Sequence, residues 1–122
     1  MNTDWRAAGE NIVPLPVIRS AAPAPSDDML MAEVADGNMA ACGQLADRHL
    51  TRVVTLAARI LGDPAEAEDV AQEVFLRTWR KASQWQAGRA RLSTWMHRVT
   101  VNLCTDRYRR KSRHAGLVAL DQ

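Results

Sequence analysis

Cysteine is scarce in this 122-residue chain, with Cys42 and Cys104 standing 62 positions apart. Two isolated cysteines make neither a disulfide framework nor a zinc spacing, so a reducing, cytoplasmic setting is the expectation. Aromatics are few, with one Phe, one Tyr and four Trp. No apolar run approaches the roughly 20 residues that a spanning helix needs, so no membrane insertion is expected. The segment Ile12-Val13-Pro14-Leu15-Pro16-Val17-Ile18 is cut twice by proline, and no basic cluster precedes it. That is not the pattern of a secretory signal peptide. His97 and His114 lack Cys, Asp or Glu partners at ligand spacing, which removes a metal site from the expectation. No Gly-rich phosphate loop and no Ser/His/Asp grouping occurs. The expectation is a binding protein without cofactor, not an enzyme.

What the chain does have is unevenly spread. Apolar residues make up 47%, enough for one domain with a hydrophobic core. The formal net charge is only +2, yet residues 1–76 carry 5 Lys/Arg against 12 Asp/Glu, and residues 77–122 carry 11 against 2. Such polarity between halves points to two different partners.

Residues 1–26, rich in Ala and Pro, lack helical periodicity and read as a mobile leader. Helical signals then follow almost without a break. A short helix can start at Ser26 or Asp27 and stop near Gly37. A second runs from about Asn38 to Leu61, with Cys42, Leu45, His49, Val53, Leu56 and Ile60 as its buried stripe. His49 on that stripe reads as a packed, hydrogen-bonded histidine. In Gly62-Asp63-Pro64-Ala65-Glu66, glycine closes one helix, Asp63 caps the next, and Glu66 completes a capping box. This third helix should reach about Ala82. A polar loop, Ser83 to Leu92, precedes a fourth helix expected to be capped by Ser93 and to reach about Arg113. Cys42 is expected in the core, Cys104 half-buried, and Trp79 and Trp95 in the core.

Projected at ~100° per residue, Ala67, Val70, Ala71, Val74 and Thr78 share the core side of the third helix. Asp69, Gln72, Glu73, Leu76 and Arg80 gather on the opposite side. An ordinary solvated face accounts for the acids, but Leu76 among them looks like an apolar anchor with a charged rim. The expected complement is a basic surface.

The fourth helix repeats the logic with the opposite sign. Leu92, Met96, Val99 and Leu103 form its core stripe, while Arg98, Asn102, Thr105, Asp106, Arg109 and Arg113 fall within ~100° on another face. Arginines that hold phosphates, interrupted by short polar groups that reach base edges, suit nucleic acid. Arg110 and Lys111 add charge towards the C-terminal end. The loop contributes Trp85, Arg89 and Arg91, and aromatic rings on a basic loop stack on unpaired bases. Packing of Trp85 in the neck between two helices is the competing reading, and the two are compatible.

These residues resemble a known family. The run Glu66-Ala67-Glu68-Asp69-Val70-Ala71-Gln72-Glu73-Val74-Phe75-Leu76-Arg77-Thr78-Trp79-Arg80 looks like the AEDxxQExFxxxW signature of bacterial sigma factors, specifically the extracytoplasmic-function group. Downstream, Leu92-Ser93-Thr94-Trp95-Met96-His97-Arg98-Val99-Thr100-Val101-Asn102 and Asp106-Arg107-Tyr108-Arg109-Arg110 are similar to that group's promoter-reading helix. The two motifs cover about residues 27–113, the sigma-70 family's region 2 domain. The resemblance implies an all-α, compact domain of about four helices, with a long core-binding helix and a promoter-reading helix.

It further implies that Asp69, Gln72 and Glu73, with Leu76 and Arg80 nearby, contact the clamp helices of the largest subunit of RNA polymerase core. The Ser83–Leu92 loop would capture a flipped, non-template-strand base of the promoter −10 element, with Trp85 and Asn102 lining the pocket. Arg89, Arg91, Arg98, Thr105, Arg109, Arg110 and Arg113 would complete the DNA-binding set. Family members are commonly held inactive by an anti-sigma protein that covers the same surfaces. They normally continue into a second, region 4 domain that reads the −35 element. Residues 114–122 are expected to begin the linker to such a domain, the chain being then a fragment. The family usually has an aromatic residue where His49 stands, so the packing there is expected to differ.

Two other readings compete. A sigma-mimicking decoy would bind an anti-sigma protein without DNA, but would not need Arg98, Arg109 and Arg113. A generic basic helical binder of nucleic acid would leave the acidic face around Asp69 and Glu73 unexplained.

Overall fold

A computed structural model describes residues 23–120. They form four α-helices and no strand among the described residues: α1 (Asp27–Ala35), α2 (Met39–Leu61), α3 (Pro64–Lys81) and α4 (Leu92–Leu120). A 3₁₀ turn, Ala82–Gln84, follows α3. Of the expected leader only residues 23–26 lie within the described residues, and they carry no regular structure.

Local chemistry sets the boundaries. Ser26 Oγ accepts the N–H of Met29 at 3.1 Å, so the first helix begins where its cap predicts. Asp27 and Asp28 in its first turn complement the positive end of the helix dipole. Asn38 caps α2 by accepting from the Ala40 N–H at 2.9 Å. Gly62, at φ +69°, then stops α2 in the left-handed region that glycine tolerates. Asp63 accepts from the N–H groups of Ala65 and Glu66, with Pro64 at the first helical position.

One detail of that start differs from expectation. Glu66 does not close a capping box, because its carboxylate accepts from Lys111 Nζ on α4 at 2.6 Å. A full ammonium charge is a stronger partner than a backbone N–H already close to water.

The hydrophobic core lies between all four helices. Leu30 and Met31 of α1, Leu45 of α2, Val70 and Val74 of α3, and Leu92 and Met96 of α4 are fully or almost fully buried within it. The α3 stripe Ala67, Val70, Ala71, Val74 and Thr78 is buried as expected, and Phe75 joins it. The α2 stripe is rotated. Ala41, Leu45, His49, Val53 and Ala57 are its buried residues, whereas Cys42, Leu56 and Ile60 are only half-buried. Alanines let neighbouring helices approach closely, so they take the line of contact and the larger side chains flank it.

On α4 the expectation needs three corrections. Ser93 is not the cap, because the helix already starts at Leu92 and the Arg91 carbonyl accepts from the N–H groups of Thr94 and Trp95. Cys104 is wholly buried rather than half-buried, as is Thr100, whose hydroxyl donates to the Met96 carbonyl at 2.7 Å. The helix does not end near Arg113 but continues to Leu120. Trp79 and Trp95 are half-buried flanks packed against the core.

Candidate functional site

The side chains singled out on α3 form one surface. Asp69, Gln72, Leu76 and Arg80 are exposed and Glu73 is half-buried, with Leu76 at 46% exposure amid the charges. Glu73 accepts from Arg77 Nε at 3.0 Å, and Arg80 lies 3.7 Å from the same carboxylate oxygen. This pairing one turn apart holds the glutamate close to the helix. Asp69 is 3.9 Å from Arg107 on α4, and its side chain stays 64% exposed, so most of its surface is open to a partner.

A cleft of about 280 Å³ separates α3 from α4, walled by Asp69, Gln72, Glu73 and Leu76 on one side and Leu103, Arg107 and Arg110 on the other. Arg110, read with the nucleic-acid set, thus faces the acidic surface, and it pairs with Asp106 at 2.9 Å. It stands one residue beyond Arg109, about 100° round the helix.

Arg98, Asn102, Arg109 and Arg113 are exposed along α4, with Thr105 half-buried beside them. Among the described residues, no ion pair engages Arg98, Arg109 or Arg113. Uncompensated guanidinium groups on one face are what a phosphate backbone requires. The α3 surface thus carries carboxylates paired with arginines, whereas the neighbouring face of α4 carries arginines that make no ion pair among the described residues.

The loop between α3 and α4 is more constrained than its composition suggests. Trp85 packs against the core, with its ring edge-on to Trp95 at a centroid distance of 6.1 Å. Its Nε1–H donates to Asp28 Oδ1 at 2.8 Å. The other oxygen of that carboxylate accepts the Gly88 N–H at 3.0 Å. Gly88 adopts φ +82°, so the turn there needs a residue without a Cβ. Trp85 is thus held in the neck, and its polar edge is already occupied.

An open cleft of about 640 Å³ lies beside this loop. Arg48 and Arg52 of α2 form one wall, and Arg89 and Arg91 of the loop form another. Asp27, Asp28 and His49 also line it. Neither Trp85 nor Asn102 is in its lining, so the structure does not bring those two into this cavity. Asp27 accepts from Arg48 at 3.0 Å and bonds His49 Nε2 at 2.9 Å, and Arg52 donates to His49 Nδ1 at 3.4 Å. His49 is accordingly the buried, hydrogen-bonded histidine expected. Arg48, Arg52 and Asp28 were not foreseen as parts of a site. They come within reach of the loop only through contacts across more than 20 positions of sequence, which no local pattern signals.

Two perturbed groups accompany this arrangement. Burial pushes the Cys104 thiol up, with Arg107 opposing in part. The hydrogen bond and charge of Glu66 hold the Lys111 ammonium above its ordinary value.

Known proteins resemble this chain in sequence and in fold. Residues 45–114 match the Sigma-70 region 2 family. ECF RNA polymerase sigma factor SigE of Mycolicibacterium smegmatis is 38% identical over 94 residues, covering 73% of this chain and 36% of that protein. SigW of Bacillus subtilis, also an ECF RNA polymerase sigma factor, is 35% identical over 79 residues, covering 65% and 42% respectively. The chain spans less than half the length of these relatives. Among solved structures, an engineered region 2 of sigmaE in complex with GTAAAA, determined by NMR, superposes with a TM-score of 0.64. It is 27% identical, covering 74% of this chain and 93% of that one. The family match takes in more than half of the residues, and the chain belongs to the sigma-70 family, in its extracytoplasmic-function group, through a region 2 domain.

Proposed function

We propose that this chain is the part of a sigma factor that binds RNA polymerase core and reads the promoter −10 element as single-stranded DNA. The observation that carries the reading is the exposed Asp69, Gln72 and Leu76 surface of α3 beside a row of α4 arginines that make no ion pair among the described residues, with an arginine-bearing loop joining the two helices. Asp69, Gln72, Glu73, Leu76 and Arg80 meet the clamp helices of the largest polymerase subunit, with Leu76 as the apolar anchor. Arg98, Arg109 and Arg113 grip phosphates, while Thr105 and Asn102 reach base edges. Arg89 and Arg91 guide the strand over the loop, and Trp85 frames the place where a base leaves the stack. The GTAAAA bound by the engineered sigmaE region 2 supports a short nucleic-acid partner for this fold. The work done is binding work: contacts made only by an unstacked base offset the cost of extruding it and so favour melting.

An anti-sigma protein that covers the same surfaces would control access by occlusion. The partly exposed Leu50 and Leu76 border an apolar groove between α2 and α3 that such a partner would cover. It should compete with polymerase, and simultaneous binding of both would refute occlusion. The decoy alternative is disfavoured because Arg98, Arg109 and Arg113 are kept open to solvent.

The test is co-elution of this chain with RNA polymerase core on size exclusion. Formation of a complex supports the reading, and separate elution at micromolar concentrations contradicts it.

A further inference from the structure

We infer that Asp28 is the positioning residue of the DNA-reading loop, fixing the loop's shape from a different helix. The inference rests on the reading of residues 85–91 as part of the DNA surface. Asp28 sits in the first turn of α1, and each of its carboxylate oxygens accepts one N–H from the loop. Trp85 Nε1 lies 2.8 Å from Oδ1 and the Gly88 backbone N lies 3.0 Å from Oδ2. One donor is at the base of the loop and the other at its turn, so a single carboxylate spans the segment. Among the described residues, no other hydrogen bond joins residues 85–90 to α1, α2 or α3.

The neighbouring carboxylate anchors α1 itself. Asp27 binds Arg48 and His49 on α2, while Asp28 reaches the loop. Two adjacent acids thus tie one helical turn to two different elements. Gln86, Ala87, Arg89, Ala90 and Arg91 are exposed on the frame this creates. A loop already held in its binding shape loses less conformational freedom when a strand docks, and it presents one geometry rather than many. Asp28 therefore governs discrimination between sequences, whereas the arginines supply sequence-independent attraction.

The experiment uses the chain with a library of single-stranded DNA hexanucleotides. The sequence that wild type binds best is chosen, together with its scrambled counterpart, and the ratio of the two Kd values is measured. In Asp28→Ala that ratio should shrink about tenfold. The salt dependence of binding and the helical circular dichroism should remain as in wild type. The Trp85 indole N–H resonance should move and exchange faster with solvent. Asp28→Asn, which retains one acceptor oxygen, should fall between. Trp85→Phe, which removes one donor and keeps a ring, should also reduce the ratio.

If Asp28→Ala shifts the indole resonance and leaves the ratio unchanged, Asp28 anchors the loop without positioning it for reading, and the inference is overturned. Should Asp28→Ala unfold, retention of the full ratio by both Asp28→Asn and Trp85→Phe overturns it equally. A wild-type chain with no preference anywhere in the library would overturn the functional reading of the loop as well.

Discussion

Asp27 of α1 and His49 of α2 meet at 2.9 Å between Oδ2 and Nε2, with the histidine only 6% exposed. The contact closes the first helix onto the middle of the second, directly beside the arginine-walled cleft. Removing the imidazole leaves Asp27 with Arg48 alone and opens space beneath it. His49→Ala should therefore cost about 1–3 kcal/mol, the range for a lost buried hydrogen-bond partner. Urea denaturation followed by circular dichroism measures this. A loss under about 0.5 kcal/mol would show that the pair contributes nothing to stability.

The arginines of α4 should not be equivalent towards DNA. Arg98→Ala or Arg109→Ala should flatten the dependence of log K on log salt by about 0.7, the release expected for one contact to a single strand. Arg110→Ala should leave the slope almost unchanged, because that guanidinium is engaged by Asp106 and faces α3. Asn102→Ala should reduce preference among −10 sequences with little effect on slope. Fluorescence anisotropy at several salt concentrations distinguishes these cases. Equal losses on matched and scrambled oligonucleotides for Asn102→Ala would refute its role in reading bases.

Much of this was legible in the sequence, and the misses share a cause. The start of α3 is written in three residues, because Gly62, Asp63 and Pro64 each have a local conformational reason to stand there. Which side chains of α3 and α4 face outward follows from helical spacing alone. The rotation of the α2 stripe does not, since Ala41 and Ala57 rank low in hydrophobicity and win their places through close helix packing. Ser93 looked like a cap, yet the helix begins at the buried Leu92 just before it. Asp28 is the instructive case. Its acid reads locally as a first-turn charge, and its partners lie 57 and 60 positions away.

Alkaline pH should expose the two perturbed groups. Cys104 is held above its ordinary 9.0 by burial, so from pH 9 upward the unfolded thiol ionises before the folded one. Its contribution to stability is full below that pH and falls as pH rises through the folded value. Lys111, raised from 10.5 by Glu66, acts in the same direction at higher pH. Stability should thus decline above pH 9, and less steeply in Cys104→Ala. At pH 8, iodoacetamide should modify the half-buried Cys42 well before the buried Cys104. Equal labelling rates in the folded chain would contradict the burial of Cys104.

The division of labour between α3 and α4 is tested most directly by two triple variants assayed in parallel for binding to RNA polymerase core and to a −10 oligonucleotide. Asp69, Gln72 and Glu73 replaced by Ala should weaken polymerase binding by about 2 kcal/mol or more, as loss of an interface hot spot does, with oligonucleotide binding retained. Arg98, Arg109 and Arg113 replaced by Ala should do the converse. Circular dichroism should match wild type for both, since these side chains are exposed or only half-buried on the helix surface. If either variant loses both activities while remaining folded, or neither loses its own, the two surfaces do not serve two partners and the account fails.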